Sequence, residues 1–466
     1  MGHDKARLFG TNGVRGIFGK ELTADLVIDL SYAIATYFRK GPIIIGHDGR
    51  NSSPILSKLV RSTINSAGLD VVDAKLIPTP CLQYATKYLG FNGGIMITAS
   101  HNPPEYNGIK PIAGDGVEIS REDELNVENI YYSNKFSKID GFGQNFVNES
   151  IIDSYIEAVL DLVDVQQIRT RAFKIVIDIG NGAQAAVAPL LVQKLGVKAI
   201  IINGNVDGNF PGRGPEPTPE NLGVLANMVK DTEADVGVAY DGDGDRSIFC
   251  DEKGRVQWGD KTGTLLVKHL LKSKHKGAEI VCPINTTMAL ALIAEDAGSK
   301  LIYTKVGSVE VSREMLRRKA CIGLEENGGF MYGKLNEVRD GLMTTALVLD
   351  MLASNQETLS QMISSLPKIF QYKSKFRCPT KQIADDIVVS CMKHGSPLKV
   401  ETLDGAKIWI DEETWIMIRP SGTEPLLRIY AESSDQSLLD SKIQEYSKLI
   451  ESKIFNSRHN QYREHF

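Results

Sequence analysis

Short apolar runs that end in polar, glycine-containing loops recur along the chain. Each run is too short for a buried helix and is followed at once by a turn signal, so it predicts a buried strand. Three of these runs each begin a unit, at Pro42–Gly46, Phe173–Ile179 and Glu279–Ile284. A second run lies downstream in each unit, at Gly94–Ile97, Asp235–Ala239 and Ala320–Leu324. The pattern therefore predicts the same pair of strands three times.

Stretches with helical periodicity lie around these predicted strands. Leu26–Tyr37 repeats apolar residues at a spacing near that of a helix, and Ser52–Ala67 has a helical pattern until Gly68 stops it. Pro189–Leu195 and Thr286–Ala297 are amphipathic and long enough for short helices. Strands that alternate with helices are typical of α/β folds, so we predict three weakly similar α/β units.

The C-terminal part of the chain has a different pattern. Strand-like segments Lys399–Leu403, Lys407–Ile410 and Thr414–Arg419 follow one another closely, and Leu427–Ala431 comes after a short loop. A final helix is predicted from an apolar face made by Leu438, Leu439, Ile443, Tyr446, Leu449 and Ile450. Closely spaced strands followed by a helix indicate a separate α+β domain.

Length and composition exclude several classes of protein. At 466 residues the chain is too long for one hydrophobic core, and its 42% apolar content is typical of a soluble globular protein. The net charge of -5, without a basic block, argues against nucleic acid as a partner. The six cysteines include no C-x-x-C pair, which argues against a zinc site and a disulfide scaffold. We see no signal-peptide core and no membrane-spanning run, so we expect a cytoplasmic protein without a membrane partner.

Three aspartates form the clearest chemical signal. Asp241, Asp243 and Asp245 alternate with glycines directly after a predicted strand. In extended backbone alternate side chains point the same way, and carboxylates placed so would repel unless a cation lay among them; Mg²⁺ or Mn²⁺ would suit such oxygen ligands. The spacing also begins a calcium EF-hand loop with Glu252 at its twelfth position, but Arg246 stands where that loop needs glycine. A solvated acidic turn without a metal is the other alternative.

A serine stands where another predicted strand ends. Ser100 follows the apolar run at Gly94–Ile97 and precedes His101, and Pro103 and Pro104 prevent a helix from continuing. Open α/β sheets place chemistry just beyond the carboxyl ends of their strands, so Ser100 is a candidate nucleophile or phosphate carrier. Taken alone, the stretch is equally typical of an ordinary turn with an incidental serine.

Three further loops carry groups that bind sugars or phosphates. Gly323–Phe330 offers carboxylate and amide groups on a glycine-rich turn, as hydroxyl-rich ligands require, and Lys305 upstream would add a cation. The N-terminal loop Leu8–Gly16 combines three glycines with Arg15, which suits a phosphate or simply a tight turn. Near the C-terminus a third loop would hold a phosphate dianion, unless it is a surface β-turn. Its donors are Arg419, Ser421, Gly422, Thr423 and Arg428.

A serine, a metal site, a polyol loop and a phosphate cradle are together the groups that phosphoryl transfer on a sugar phosphate requires. At this point the chain resembles the α-D-phosphohexomutase superfamily along essentially its whole length. The matching motifs are FGTNGVRG, TASHNPPEYNGIK, DGDGDR, EENGG and RPSGTEP. The resemblance implies an α/β fold with three similar α/β domains built on mixed sheets and a C-terminal α+β domain around a central cleft. We place these domains at residues 1–150, 151–257, 258–370 and 371–466.

The same resemblance implies roles for individual residues. Ser100 would be carried as phosphoserine, and its phosphate would hold one Mg²⁺ together with Asp241, Asp243 and Asp245. Active-site positions match Arg15, His101, Lys110 and Arg246, with Lys110 a candidate for proton transfer or charge stabilisation and Arg246 a candidate for substrate binding. Sugar- and phosphate-binding positions match Lys305, Gly307, Glu325, Asn327, Arg419, Ser421, Gly422, Thr423 and Arg428.

The implied activity is the interconversion of hexose 1-phosphate and hexose 6-phosphate through a sugar bisphosphate, which also serves as the activator. The EENGG loop resembles archaeal-type mannose/glucose enzymes and favours those sugars. The FGTNGVRG motif is equally found in glucosamine mutases, which leaves glucosamine phosphate as a second candidate. A sugar-phosphate phosphatase or binding protein with the same metal loop is an alternative of another class.

Two positions depart from the family pattern. Several members carry a histidine where this chain has Gly329, so an acid–base role for that histidine cannot be transferred and shifts onto Lys110 and His101. Arg50, in the loosely matching segment His47–Arg50, is a candidate phosphate contact. The pattern indicates no oligomeric state.

Overall fold

A computed structural model describes residues 7–10, 12–137, 141–421 and 426–463, with side chains up to residue 456. The strands of these ranges are β1 (Val14–Ile17), β2 (Ile43–His47), β3 (Val71–Leu76), β4 (Gly93–Ile97), β5 (Tyr106–Ala113), β6 (Asn145–Val147), β7 (Lys174–Asp178), β8 (Lys198–Ile202), β9 (Val236–Tyr240), β10 (Ser247–Asp251), β11 (Val256–Gln257), β12 (Glu279–Pro283), β13 (Lys300–Thr304), β14 (Ile322–Leu324), β15 (Phe330–Tyr332), β16 (Phe370–Arg377), β17 (Lys399–Glu401), β18 (Ala406–Trp409), β19 (Thr414–Pro420) and β20 (Leu426–Ser433).

The helices are α1 (Ala24–Phe38), α2 (Ser53–Ser66), α3 (Thr79–Tyr88), α4 (Arg121–Ser133), α5 (Ile151–Leu160), α6 (Val165–Arg171), α7 (Ala188–Leu195), α8 (Gly223–Asp231), α9 (Gly259–Ser273), α10 (Met288–Asp296), α11 (Ser308–Arg318), α12 (Gly341–Ser354), α13 (Leu359–Ser364), α14 (Lys381–Met392) and α15 (Gln436–Arg463). The helices predicted from periodicity agree with α1, α2, α7 and α10 to within two residues at each end. None of the helices in the described ranges is long and apolar enough to cross a membrane.

Three mixed sheets repeat one strand order. The first contains β5-β4-β2-β3, the second β10-β9-β7-β8 and the third β15-β14-β12-β13, with β1 and β6 added to the first sheet and β11 to the second. Among the four strands repeated in each sheet, three are parallel, and β5, β10 or β15 pairs antiparallel with its neighbour. The expectation of three similar α/β domains with mixed sheets is therefore confirmed.

The repeat places the chemical loops at equivalent positions. Each loop joins the parallel strand at one side of the sheet to its antiparallel neighbour: β4 to β5 around Ser100, β9 to β10 around Asp243, and β14 to β15 around Asn327. Because the carboxyl end of the parallel strand begins all three loops, each α/β domain contributes one loop of the same kind.

The C-terminal sheet is antiparallel throughout, in the order β16-β20-β19-β18-β17. Its core packs α14 and α15 against the sheet through Ile387, Ile416 and Tyr446. This arrangement confirms the predicted α+β domain. β16 begins at Phe370, one residue before the predicted limit at 371, and the four domain limits stay predictions.

Packing joins the α/β domains more extensively than it joins the last domain. One apolar core contains Ile44, Ile177 and Ile280, which lie on the central strand of each of the three mixed sheets. A small separate cluster, with Met288 and Trp415, lies between the third and fourth domains. The Glu432 carboxylate crosses the same boundary and accepts from the Met288 backbone N–H at 2.7 Å. The C-terminal domain thus rests on a small, partly polar boundary.

Candidate active site

Ser100 has a strained backbone and a buried hydroxyl. Its φ of 51° lies in the left-handed region, which costs a residue with a Cβ about 1 kcal/mol or more. The Thr98 hydroxyl stabilises this conformation by accepting from the Ser100 backbone N–H at 2.8 Å. The Ser100 hydroxyl donates to Asp241 Oδ2 at 2.8 Å. The serine is therefore held with its hydroxyl directed at the acidic loop of the second domain.

The serine loop and the acidic loop also touch through their backbones. A Cβ on Gly242 would lie 2.6 Å from the Ser100 carbonyl oxygen, so a side chain there would force the loops apart. His101 Nδ1 lies 3.3 Å from Ser100 Oγ. Burial, followed by the positive charges of Arg246 and Arg15, lowers the pKa of His101 well below its usual range. The imidazole is therefore neutral at physiological pH.

Arg50 holds the serine loop in place. Its guanidinium is buried, and Asp48 Oδ2 accepts from its Nε at 3.1 Å. Its remaining N–H groups donate to the carbonyl oxygens of Ser100, Asn102, Pro103 and Tyr106. All five guanidinium donors are thus used within the protein. The expectation that Arg50 contacts a phosphate is wrong, because Asp48 and four backbone carbonyl groups at the serine loop take every donor of its guanidinium.

Replacing Arg50 by lysine tests this support. An ammonium has three donors for five acceptors, and each buried carbonyl left without a donor costs about 1–3 kcal/mol. We expect the thermal midpoint to fall by about 5 °C or more, and turnover to fall more than about tenfold as Ser100 loses its fixed position. Scanning calorimetry and a turnover assay would measure both. Arg317→Lys, at an arginine whose side chain is 64% exposed, is the matched control; wild-type stability and turnover in the Arg50 variant would contradict the supporting role.

The three aspartates converge through a turn. The Gly244 backbone N–H donates to the Asp241 carbonyl oxygen at 3.1 Å, and the φ of Gly244 is +77°. The Arg246 backbone N–H donates to Asp241 Oδ1 at 3.1 Å. The expectation of extended backbone is therefore wrong, because these hydrogen bonds fold the segment between β9 and β10 into a tight turn. The carboxylates still meet: one oxygen each of Asp241, Asp243 and Asp245 lies within 4.8 Å of the others.

The surroundings of this cluster fit a divalent cation. The three residues are at most 2% exposed, which excludes a solvated acidic turn. The carboxylate oxygens Oδ1 of Asp243 and Oδ1 of Asp245 are buried without a hydrogen-bond donor among the described residues. Burial and the neighbouring Asp245 raise the pKa of Asp241 to about 7. Unpartnered oxygen atoms at this spacing suit a hard cation such as Mg²⁺.

The calcium EF-hand alternative does not fit. The acidic loop lies between antiparallel strands β9 and β10 instead of between two helices. The Glu252 carboxylate, which would complete an EF-hand loop, instead accepts hydrogen bonds from Thr358 and Ser360. The cluster is therefore a three-aspartate site built on a strand hairpin.

Basic side chains surround the acidic cluster. Lys110 Nζ lies 3.6 Å from Asp243 Oδ2 and 3.9 Å from Asp245 Oδ2. Burial alone would raise the pKa of Asp243, but Lys110 and the Thr79 hydroxyl outweigh it and hold that pKa well below its usual range. Arg246 Nε lies 3.3 Å from Asp241 Oδ2. Lys110 and Arg246 therefore balance the negative charge of the three aspartates, and the same two side chains can attract an anionic ligand.

Arg15 lies next to the serine loop. Its Nη1 donates to Asn102 Oδ1 at 2.8 Å and to the Ala99 carbonyl oxygen at 3.2 Å, and its Nε donates to the Asn12 carbonyl oxygen. The Asn12 amide reaches Ser308 at the start of α11 in the third domain. Arg15 is therefore placed beside Ser100 by contacts that also join the first and third domains.

The sugar-recognition loop rests on the metal-loop hairpin. The Gly328 carbonyl oxygen accepts from the Ser247 backbone N–H at 3.1 Å. The Glu325 N–H donates to the Gly329 carbonyl oxygen at 2.8 Å, and Asn327 Oδ1 accepts from the Gly329 N–H at 3.2 Å. These bonds close the turn and bring Glu325 next to the aspartate cluster.

The predicted phosphate cradle forms a second group of residues. Arg419 and Arg428 are directly paired on β19 and β20. Arg419 Nε donates to Asp404 Oδ2 at 2.7 Å, and the same oxygen accepts from the Val306 N–H at 2.9 Å. Val306 lies between the predicted ligands Lys305, whose side chain is exposed, and Gly307, which precedes α11. Ser421 ends the described part of this loop, and Gly422 and Thr423 lie outside the described residues.

Sequence reasoning missed three residues of the site. The Thr79 hydroxyl donates to Asp243 Oδ2 at 2.6 Å, and Glu118 Oε1 lies 3.6 Å from Lys110 Nζ. Arg339 bridges the metal loop and the sugar loop, with Nη1 donating to Glu325 at 3.1 Å. None stands in a recognisable motif, because each reaches the site through a long-range contact.

The fold and the site define a protein of the phosphohexomutase class. Family models described as phosphoglucomutase/phosphomannomutase match consecutive parts of the chain: alpha/beta/alpha domain I at residues 6–138, domain II at 153–254, domain III at 258–370 and the C-terminal domain at 378–446. The chain belongs to the phosphoglucomutase/phosphomannomutase family, as its motifs indicated.

The proteins that are similar to this chain are named for different sugar substrates. The chain is 40% identical over 457 residues to a phosphoglucosamine/phosphogalactosamine mutase of Sulfurisphaera tokodaii, covering 96% of this chain and 100% of that protein. It is 39% identical over 450 residues to a phosphoglucomutase/phosphomannomutase of Thermococcus kodakarensis, covering 95% and 97%. A solved structure of a phosphoglucomutase/phosphomannomutase family protein from Burkholderia thailandensis superposes with a TM-score of 0.86 at 26% identity, covering 96% and 97%. Similarity alone therefore identifies the reaction class and leaves the sugar open.

Proposed function

We propose that this chain interconverts hexose 1-phosphate and hexose 6-phosphate with Ser100 as the phosphoryl carrier. The observation that supports this most directly is the Ser100 hydroxyl, which is buried and donates to Asp241 within the three-aspartate cluster. A nucleophilic oxygen beside a cation site and surrounded by basic groups is what phosphoryl transfer requires.

The transfer is assigned to residues around Ser100. Phospho-Ser100 passes its phosphoryl group to the free hydroxyl of the bound hexose phosphate, giving a sugar bisphosphate, and later takes back the other phosphate. Arg15 and Lys110 neutralise charge on the transferred group as cations, and the neutral His101 accepts the proton that the attacking hydroxyl loses; Lys110 would accept it only in its uncharged form. Ser100, Asp241, Asp243 and Asp245 would hold Mg²⁺, which when bound adds positive charge beside the serine oxygen.

Binding of the sugar phosphate is assigned mainly to the third and fourth domains. Glu325 and Asn327 would accept and donate hydrogen bonds to the sugar hydroxyls. The second phosphate would lie among Arg419, Ser421, Gly422, Thr423 and Arg428, with Arg246, Lys305 and Gly307 as further contacts. The bisphosphate has to turn end for end between its two transfers, so this cradle must accept either orientation. A small, partly polar boundary between the third and fourth domains would permit the opening that this needs.

We propose mannose and glucose phosphates as the substrates, since the EENGG loop resembles the enzymes that act on them. Glucosamine phosphate is the second candidate. It is favoured by the 40% identity to a phosphoglucosamine/phosphogalactosamine mutase. The Glu325 carboxylate would accept from an ammonium at C2 as well as from a hydroxyl.

A coupled assay on glucose, mannose and glucosamine 1-phosphates, with Mg²⁺ and a trace of the matching bisphosphate, tests the proposal. Comparable turnover of the two neutral sugars with little turnover of glucosamine supports the first candidate, and the reverse supports the second. Release of inorganic phosphate without isomerisation would instead indicate the phosphatase alternative. Binding without either reaction would indicate a binding protein.

A further inference from the structure

Arg339 connects the loops of two domains through a buried guanidinium. The residue is 7% exposed, its Nη1 donates to Glu325 Oε2 at 3.1 Å, and its Nη2 pairs with Asp245 Oδ2. One carboxylate belongs to the predicted sugar loop and the other to the predicted metal loop. A planar guanidinium can hold two carboxylates in a fixed relation, whereas an ammonium presents one point charge.

Because Gly329 has no side chain, the Arg339 side chain has room to pass beside it. A Cβ at position 329 would lie 2.9 Å from Arg339 Cγ and closer still to Cδ. The neighbouring Gly328 has a φ of +92°, but Gly329 is outside the left-handed region, so its backbone does not require glycine. Glycine is therefore required at position 329 because the Arg339 side chain occupies the volume that a Cβ would take. A larger side chain at position 329 could not be present together with Arg339 in this position.

The root of Arg339 is fixed as well. The next residue, Asp340, begins α12 by accepting from the Met343 N–H at 2.8 Å. The Tyr155 hydroxyl of the second domain donates to the same carboxylate at 2.7 Å. Because the backbone at one end and the guanidinium at the other are both held by hydrogen bonds, the Arg339 side chain connects α12 to the sugar loop and the metal loop in a fixed conformation.

One oxygen of Glu325 is left for a ligand. Arg339 takes Oε2, and among the residues that the structure describes no donor reaches Oε1. Glu325 is 5% exposed, so a ligand hydroxyl would bind it in a nearly dry environment, where one hydrogen bond matters more than in water.

We propose that Arg339 is a positioning residue that fixes Glu325 relative to the metal loop, so that Glu325 Oε1 accepts a hydroxyl of the bound hexose phosphate. This inference rests on the proposed function. The guanidinium keeps its proton throughout the physiological range, so Arg339 acts through orientation and fixed charge and takes no part in proton transfer.

Calorimetric titration in a Ser100→Ala background tests the proposal without turnover. We expect Arg339→Met to weaken binding of glucose 6-phosphate at least tenfold and to leave binding of inorganic phosphate within twofold, because the phosphate cradle lies elsewhere. Gly329→Ala should weaken the binding of glucose 6-phosphate by a similar factor, since the added methyl group displaces Arg339 without removing the charge of the guanidinium. Gly223→Ala is the matched control, because a Cβ there meets nothing within 4 Å.

A double-mutant cycle separates positioning from folding. Once Glu325 is replaced by glutamine, adding Arg339→Met should cost little further affinity for glucose 6-phosphate. Unchanged affinity in Arg339→Met, equal loss of both ligands, or full additivity with Glu325→Gln would each overturn the inference. Failure of the Ser100→Ala parent to bind any of the 6-phosphates of glucose, mannose and glucosamine would overturn the proposed function along with the inference, so the two failures are distinguishable.

Discussion

Replacing Ser100 by alanine is expected to abolish isomerisation, with a loss of more than about a thousandfold in turnover. The Ser100 hydroxyl donates to Asp241, whereas the neighbouring Thr79 hydroxyl is directed at Asp243, so we expect no other hydroxyl to replace Ser100 as the phosphoryl carrier. A coupled assay with Mg²⁺ and the sugar bisphosphate measures the loss. The variant should still fold, because the substitution removes one hydroxyl from a loop that Arg50 and Thr98 hold through its backbone.

Two controls make this result specific. Ser133→Ala removes an exposed hydroxyl that donates to the Ile130 carbonyl oxygen and should leave turnover unchanged. Titration of the Ser100→Ala protein with hexose 6-phosphate should give near wild-type affinity. Retained isomerase activity in the Ser100 variant would contradict the assignment of the carrier.

Replacing Asp243 by asparagine is expected to weaken divalent-cation binding and turnover by more than about a hundredfold each. Substitutions outside the ligand shell of a metal already cost 10–100-fold, and Asp243 is assigned to the shell itself. Asp243 Oδ1 accepts from no donor within the described residues, so it is available to a cation. Removing the negative charge of Asp243 would also leave the buried Lys110 with one carboxylate fewer to balance its positive charge. Titration with Mn²⁺ followed by electron paramagnetic resonance measures affinity separately from activity.

Asp350→Asn provides the matched control for Asp243. Asp350 is also a buried aspartate and pairs with a lysine, Lys274, at 3.0 Å, but it is outside the three-aspartate cluster and its surroundings. We expect the Mn²⁺ affinity of this variant to stay within a few-fold of wild type. Equal Mn²⁺ affinity in the Asp243 variant and wild type would contradict the proposed metal site.

Much of the architecture follows from local pattern. The runs at Ile43–His47, Lys174–Asp178 and Glu279–Pro283 are buried strands because they are apolar, short and followed by turn residues. Their repetition predicted three similar units, and the shared strand order of the three sheets is the reason that the chemical loops occupy equivalent positions. Local sequence therefore carried both the fold class and the motifs of the site.

The interpretation failed where the backbone conformation of a loop or residues distant in sequence decide the outcome. The acidic loop forms a turn because Gly244 adopts a positive φ and Arg246 donates back to Asp241, which alternation of residue types does not reveal. Arg50 looked like an anion ligand in its motif, yet the carbonyl groups of a loop about fifty residues away occupy its fork. Arg339 carries no motif at all.

The phosphorylated enzyme offers the most direct test of the central claim. Incubation with the sugar bisphosphate, followed by peptide mass spectrometry, should place one phosphoryl group on Ser100. Rapid mixing of labelled phosphoenzyme with unlabelled hexose 6-phosphate should then move the label from Ser100 into hexose bisphosphate and monophosphate at the rate of turnover. Label that appears as inorganic phosphate, or that stays on the protein while isomerisation proceeds, would contradict a phosphoserine mutase.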